Sequence, residues 1–230
     1  MLSEAERIEQ LNERFRQGRP SNDLTRVGIL LRTFDHTEDI SQPWRGCPEH
    51  IATADAGGDC RLFGNRLSGS IVWKGMPPKR AKGEDSIPIF GPGSGAIYNP
   101  SAVSLTCAYL GDSGSRGKSD GCGRIFCDEQ PADHDPWCGG MPYRPTALVT
   151  MLKGFMAKET GSYNEVIISS SAIDEHLPAA VDAFFYVEGH DGAAARSAHR
   201  SFKEEFGAAA ATVPLVRLNV HQWDAPFSQG

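Results

Sequence analysis

The chain has 230 residues, of which 40 % are hydrophobic and 23 % charged, the balance of a globular protein long enough to bury a core. Its net charge of −6 comes without any block of Lys or Arg, which argues against nucleic acid as the main partner and leaves a small molecule or another protein. No run approaches the ~20 apolar residues that span a bilayer, and Met1-Leu-Ser-Glu-Ala-Glu-Arg7 is too acidic and polar for a signal peptide.

In chain order, residues 3–17 read as an amphipathic helix. Ile8, Leu11 and Phe15 recur at three and four residues, Ser3 can cap, and Glu6 stands where a capping-box partner belongs. Gly18-Arg-Pro20 stops it. Val27 to Phe34 is an almost continuous apolar run, as in a strand covered on both faces, with Arg32 near its end. A buried arginine needs a partner, and Asp35, Glu38 and Asp39 follow as ion-pair candidates. From Ile40 to Pro100 periodicity is poor. Residues 61–74 read first as a helix on Leu62, Leu67 and Ile71 followed by an extended piece; the alternative is a turn and the strand Ser70–Trp73. Met76 to Asp85 is a surface loop. Glycine-rich Phe90 to Gly95 matches neither a P-loop nor a dinucleotide fingerprint and reads as a turn.

Short strands are expected at 96–100 and 103–109, and Gly111 to Gly140 as loop. Pro145 to Ala157 is the clearest helix, its stripe made of Leu148, Met151, Leu152, Phe155 and Met156. A strand opened by Glu165 follows, then a helical turn at 171–176 ended by Pro178, and a strand at 179–187. Asp191 caps a helix that runs to Phe206 and closes at Gly207, with Ala194, Ala198, Phe202 and Phe206 inward. Val213 to Asn219 is the last expected strand, and Pro214 confines its start to an edge or a strand beginning. Strands are grouped, without regular βαβ alternation. The expectation is therefore an α+β fold in a single domain over 1–230: a mixed β-sheet with flanking helices, an N-terminal helix within 1–20, and a long cysteine-rich loop region at 41–145.

All six cysteines (Cys47, Cys60, Cys107, Cys122, Cys127 and Cys138) fall in that loop-rich part. An even number there reads as a disulfide framework, since such a segment has few other ways to offset its conformational entropy. Cys47–Cys60 is one pairing that would close its own loop. Cysteine usage of this kind points to a secreted or organelle-lumen protein. The competing reading is zinc: Cys122, Cys127, His134 and Cys138 supply three sulfurs and an imidazole, although their spacing matches no common structural pattern.

Chemistry is sparser. Glu165 stands at the mouth of the β-branched run Val166-Ile-Ile, where a carboxylate either points to solvent or enters a cleft in which partial burial makes it chemically useful. His36 beside Asp35, and His134, are further acid–base candidates for a hydrolase or lyase; no Gly-x-Ser-x-Gly or His-Glu-x-x-His occurs. In a non-catalytic, disulfide-stapled binding module or assembly subunit, exposed Trp44, Trp73, Trp137 and Trp223 would instead mark partner contacts.

Tyr163-Asn164-Glu165 followed by Val-Ile-Ile resembles the last catalytic block of the ADP-ribosyltransferase superfamily, where Tyr-Asn precedes a strand-start glutamate in the poly(ADP-ribose) polymerase branch. The resemblance implies NAD as the bound molecule and Glu165 as the group that holds the nicotinamide-side ribose and stabilises an oxocarbenium-like transition state. It further implies Arg32, on an early strand, as the NAD anchor. A middle strand bearing Ser, Thr or Tyr supports the nicotinamide, for which Tyr98, Ser104 and Thr106 are the candidates. The Ser-Thr-Ser motif of the toxin branch is absent, and Tyr163 fills the first place of its Glu-x-Glu. Over most of its length the chain also resembles a group of cysteine-rich proteins of dinoflagellate algae, at Arg14-Phe15-x-x-Gly-Arg-Pro-Ser-Asn22, Gly28-x-Leu-x-x-x-Phe-Asp35, Pro43-Trp44-x-x-Cys47, Tyr163-Asn-Glu-Val166 and Leu177-Pro-x-x-Val-x-Ala-Phe-Phe185. That second resemblance implies no activity.

Overall fold

The first helix, α1 (Glu4–Gln17), forms as its sequence directs. The Glu6 N–H donates to Ser3 Oγ at 3.3 Å while the Ser3 N–H donates to the Glu6 carboxylate at 2.7 Å, so two otherwise orphaned donors are satisfied reciprocally. Leu11 and Phe15 are buried, and the Phe15 ring meets Trp223 edge-on at 4.8 Å between centroids. This computed structural model describes residues 2–33, 66–76, 93–109, 126–127, 147–157, 164–169 and 177–230.

Nine strands lie among the described residues: β1 (Ile29–Thr33), β2 (Arg66–Val72), β3 (Ser94–Tyr98), β4 (Ser104–Tyr109), β5 (Phe126–Cys127), β6 (Glu165–Ser169), β7 (Val181–Val187), β8 (Leu215–Leu218) and β9 (Phe227–Gln229). They form one sheet in the order β5-β4-β6-β2-β1-β3-β7-β8-β9. Every pairing is antiparallel except β7 with β8, so the sheet is mixed. Around it stand α1, α2 (Leu148–Ala157), the single turn α3 (Leu177–Ala180) and α4 (Ala193–Phe206). The α+β class read from the sequence is the one observed. No helix among the described residues is long and apolar enough to cross a membrane.

The apolar run of β1 is explained by its place at the centre of the sheet. Ile29 and Leu31 face one side, Leu30 the other, and all three are buried. Directly opposed residues of antiparallel strands share a face, so Leu30, Tyr98, Ala96 and Phe184 line one side, while Leu31, Ser70, Ile97 and Ala183 line the other. Helix α4 covers the first side, the Phe202 ring packing on Phe184 at 5.2 Å. Arg14 Nη1 of α1 reaches Asp182 of β7 at 2.7 Å, and Lys203 Nζ of α4 reaches Glu4 at 2.9 Å, tying the two helices to the same side.

Several local expectations are corrected. Residues 66–69 are strand, not helix: Leu67 and Ile71 suit a 3.6-residue period, but pairing on both edges of β2 overrides local propensity. Strand β3 begins at Ser94, inside the stretch read as a turn, and Gly93 before it has a φ of 76° that suits glycine, while 90–92 lie outside the described residues. The stretch 111–140 contains β5, and β8 is not the last strand, because β9 follows and pairs with it; of the two places Pro214 allowed, the strand beginning is the one observed. Pro214 precedes β8 and its carbonyl accepts from the Phe184 N–H at 3.0 Å. Pro178 lies within the turn α3, a proline being tolerated where no intrahelical N–H bond is due. Helix α2 starts at Leu148, and Asn22 Oδ1 accepts from the Val149 N–H at 3.0 Å. The cap residue of α4 is Gly192, with the Asp191 carboxylate accepting from the Ala193 N–H at 3.0 Å; its inward residues are Ala195, Ala198 and Phe202, while Phe206 is half-buried. Residues 34–65 and 171–176 lie outside the described residues, and with them Asp35, Glu38, Asp39 and the expected turn.

His199 clasps α4 to the strand region. A ring nitrogen lies 2.8 Å from the Val213 carbonyl and the ring packs on Phe184, with Lys203 and Glu4 alongside. Burial holds its pKa below the usual 6.5, against the pull of the Val213 bond. A depressed folded value means that the unfolded chain binds the proton first. Stability is therefore full above pH 6.5 and is lost as pH falls toward the depressed folded value. Denaturant midpoints measured between pH 7.5 and pH 5 are expected to fall across that window, and His199→Gln is expected to flatten the fall.

Candidate functional site

Strand β2 is shared by two ladders. Its first half pairs with β6, from Arg66 opposite Ser169 to Gly69 opposite Val166. Its second half pairs with β1, from Ser70 opposite Leu31 to Val72 opposite Ile29. One ladder ends where the other begins, between Gly69 and Ser70. Arg32 lies one step beyond the Leu31–Ser70 pair, and Glu165 one step beyond the Val166–Gly69 pair. The two strands are thus separated by β2 alone, about 10 Å at ordinary strand spacing.

Continuing the β2–β6 register would set Ser70 opposite Glu165 and Ile71 opposite Asn164. The main chain does not make the latter pair. Instead the Asn164 side chain does: Oδ1 accepts from the Ile71 N–H at 2.9 Å and Nδ2 donates to the Ile71 carbonyl at 2.7 Å. A carboxamide carries the same donor and acceptor as a peptide unit and can stand in for a strand residue. Asn164 is 1 % exposed, so both bonds are sheltered from water.

On the other side of β1 the polar residues gather on one face. Arg32, 8 % exposed, is opposite Ala96, and Ser94 and Tyr98 flank Ala96 along β3 on the same side. Strand β1 approaches β3 closely here: a Cβ at Gly95 would overlap the Arg32 carbonyl oxygen and come within 2.7 Å of the Phe185 ring. The Ser94 hydroxyl is fully buried and has no hydrogen-bond partner among the described residues, an arrangement that costs about 1–3 kcal/mol. The Tyr98 hydroxyl is pushed up to about 12 by burial, with the Arg32 charge pulling the other way. Tyr98 is therefore a neutral donor close to a guanidinium.

Among the residues singled out from the sequence, Arg32 and Tyr98 are brought together, and β2 alone separates the strand of Glu165 from that of Arg32. Ser104 and Thr106 are not. They lie on β4, three strands from β1, about 14 Å away at ordinary spacing. Thr106 falls at the irregularity between Leu105 and Cys107, and Ser104 lines a separate cavity of about 430 Å³ with Asn22, Leu24, Val103, Leu105 and Leu148. The strand between Arg32 and Glu165 is β2, so the serines at its centre are Ser68 and Ser70, the latter buried. Sequence reasoning passed over them because 61–74 read as helix; the signal was Ser-Gly-Ser inside an apolar run. Trp73 is core at 1 % exposure, and Trp223 packs on Phe15 while its Nε1 donates to the Lys74 carbonyl at 3.2 Å, so neither is an exposed contact.

His36, Trp44, Trp137 and His134 lie outside the described residues. So do Cys47, Cys60, Cys122 and Cys138, which leaves Cys127 alone of the zinc set. No group of three or more possible metal ligands occurs among the described residues. Cys127 of β5 stands opposite Cys107 of β4 in the register. No protein-family model, curated protein or solved structure matches the chain.

The raised Tyr98 value carries a pH signature. Its contribution to stability is full below pH 10, where both states are protonated, and is lost as pH rises toward about 12, because the unfolded chain ionises first. Equilibrium unfolding followed from pH 9 to pH 12 is expected to show that loss, and Tyr98→Phe to reduce it.

Proposed function

We propose that the protein binds NAD and breaks its nicotinamide–ribose bond, either transferring the ADP-ribose to an acceptor or releasing it to water. The observation that carries this reading is the shared strand: the strands of Arg32 and Glu165, 133 positions apart in the chain, both pair with β2 and reach it within one register step of each other. In a continuous pleated sheet, residues one step apart belong to opposite faces. The reading requires the guanidinium and the carboxylate to reach one nucleotide. By register Arg32 shares the face of Gly69 and Glu165 that of Ser70, so the reading holds only where the start of β6 departs from the pleat of β2.

Arg32 suits the diphosphate, being a planar, permanently charged donor on a central strand. Tyr98, held neutral, suits a carbonyl or hydroxyl acceptor on the ligand. As the bond from ribose C1′ to the nicotinamide nitrogen breaks, its electron pair leaves with nicotinamide and positive charge grows on C1′ and the ring oxygen. An anionic Glu165 lowers the energy of that charge and accepts a hydrogen bond from a ribose hydroxyl. Water, or an acceptor nucleophile, then bonds to C1′ and gives up its proton.

A second reading, a cysteine-braced module without catalysis, draws on the Cys107–Cys127 register. Directly opposed strand residues lie about 4.5–5.5 Å apart, within the Cα range of a disulfide. Such a brace fits a secreted or lumenal protein.

Two experiments separate these readings. Nicotinamide release from NAD, followed with calorimetric NAD binding, is expected for the wild type. Glu165→Gln is expected to lower kcat about 10²–10³-fold with binding retained, and Arg32→Lys to weaken binding roughly tenfold. A wild type that neither binds nor cleaves NAD overturns the enzyme reading. Peptide mapping without reductant is expected to recover Cys107 joined to Cys127.

A further inference from the structure

We infer that Asn164 is a positioning residue for Glu165: its carboxamide, by replacing a peptide unit in the β2–β6 ladder, sets how far the start of β6 stands from β2. This rests on the NAD-cleaving reading above and goes beyond it, since it assigns the reaction a residue that touches no substrate.

The β2–β6 ladder runs without interruption from Arg66 to Gly69, and an ordinary strand would continue it through Ser70 and Ile71. At Ile71 both backbone groups are taken by one side chain, at 2.9 and 2.7 Å, and that side chain is 1 % exposed. Two backbones bridged by a side chain stand farther apart than two backbones bonded directly. The β6 main chain therefore leaves β2 at its first residues by the length of the Asn164 side chain, while remaining anchored to it.

Glu165 is the next residue. Its backbone is held on one side by the Tyr109 pairing with β4 and on the other by an anchor one residue away. That parting of β6 from β2 begins at Ser70, where β1 takes up pairing on the opposite edge of β2. A side chain of fixed length thus holds the opening apart and pins the carboxylate-bearing residue at its edge. Asp in this place would lose the donor to the Ile71 carbonyl and bury a charge; Ser would be too short to span the gap; Gln would span it with an extra methylene, keeping both bonds but moving β6 outward.

The test compares Asn164→Ala and Asn164→Gln with Glu165→Gln as reference, measuring kcat and KM for NAD cleavage, the thermal midpoint, and hydrogen exchange at the Ile71 amide. Asn164→Gln is expected to keep the Ile71 amide protected and the fold intact, yet to lose about 100-fold in kcat with KM within about threefold, the size of effect a misplacement near 1 Å produces. Asn164→Ala is expected to lose at least as much kcat, with the Ile71 amide exposed to exchange. A folded Asn164→Gln that turns over at the wild-type rate, while Glu165→Gln is inactive, overturns this inference and leaves the NAD reading standing. Losses that simply follow the folded fraction overturn it as well. A wild type without NAD cleavage removes both, a result told apart by the behaviour of the wild type alone.

Discussion

The structure depends on the way β2 divides its hydrogen bonds. A strand in the middle of a sheet has two edges, and every buried N–H and C=O along them must find a partner. Here the two edges are served over different halves of the strand, β6 on Arg66–Gly69 and β1 on Ser70–Val72. Ile71, next to the change of partner, would be left with an unpaired peptide on one side. Asn164 supplies the missing pair. Leaving both groups unpaired would cost about 1–3 kcal/mol each.

The same device occurs at one end of the sheet. Asn12 of α1 is buried, donates to the Phe227 carbonyl at 2.9 Å and accepts from the Phe227 N–H at 3.0 Å. There it joins a helix to β9 at the sheet's edge. In both places a buried asparagine completes a ladder where no strand is available. The first closes an edge against solvent; the second lies at an internal division of the sheet, beside the residues that carry the chemical argument.

Burial of polar groups is the other theme. Arg32, Ser94 and Tyr98 share one face of β1 and β3 at the middle of the sheet. An apolar replacement of similar volume at Ser94 would remove a buried hydroxyl that no described residue bonds, so the serine stands there at some cost to stability. Gly95, which cannot accept a Cβ without displacing the Arg32 backbone, keeps β1 and β3 close enough for these groups to be neighbours. A central sheet optimised for stability alone would have none of the three polar side chains.

Local sequence determined the elements whose signals are local. The capping box of α1, the apolar run of β1, the stripe of α2 and the closure of α4 at Gly207 each follow from a few neighbouring residues, and each is observed. The grouping of strands was enough to identify an α+β fold with a mixed sheet. Arg32 and Glu165 could be singled out because a charge is unusual beside an apolar run, whereas Tyr98 was a candidate through the resemblance alone. What only the tertiary structure decided is who lies beside whom. Tyr98 rather than Ser104 or Thr106 neighbours Arg32, and β2 rather than β3 or β4 separates Arg32 from Glu165, because strand order is set by pairing between distant segments and leaves no mark on local periodicity. The role of Asn164 was equally hidden, since a buried amide and a turn asparagine are the same letter until the backbone it bonds to is known.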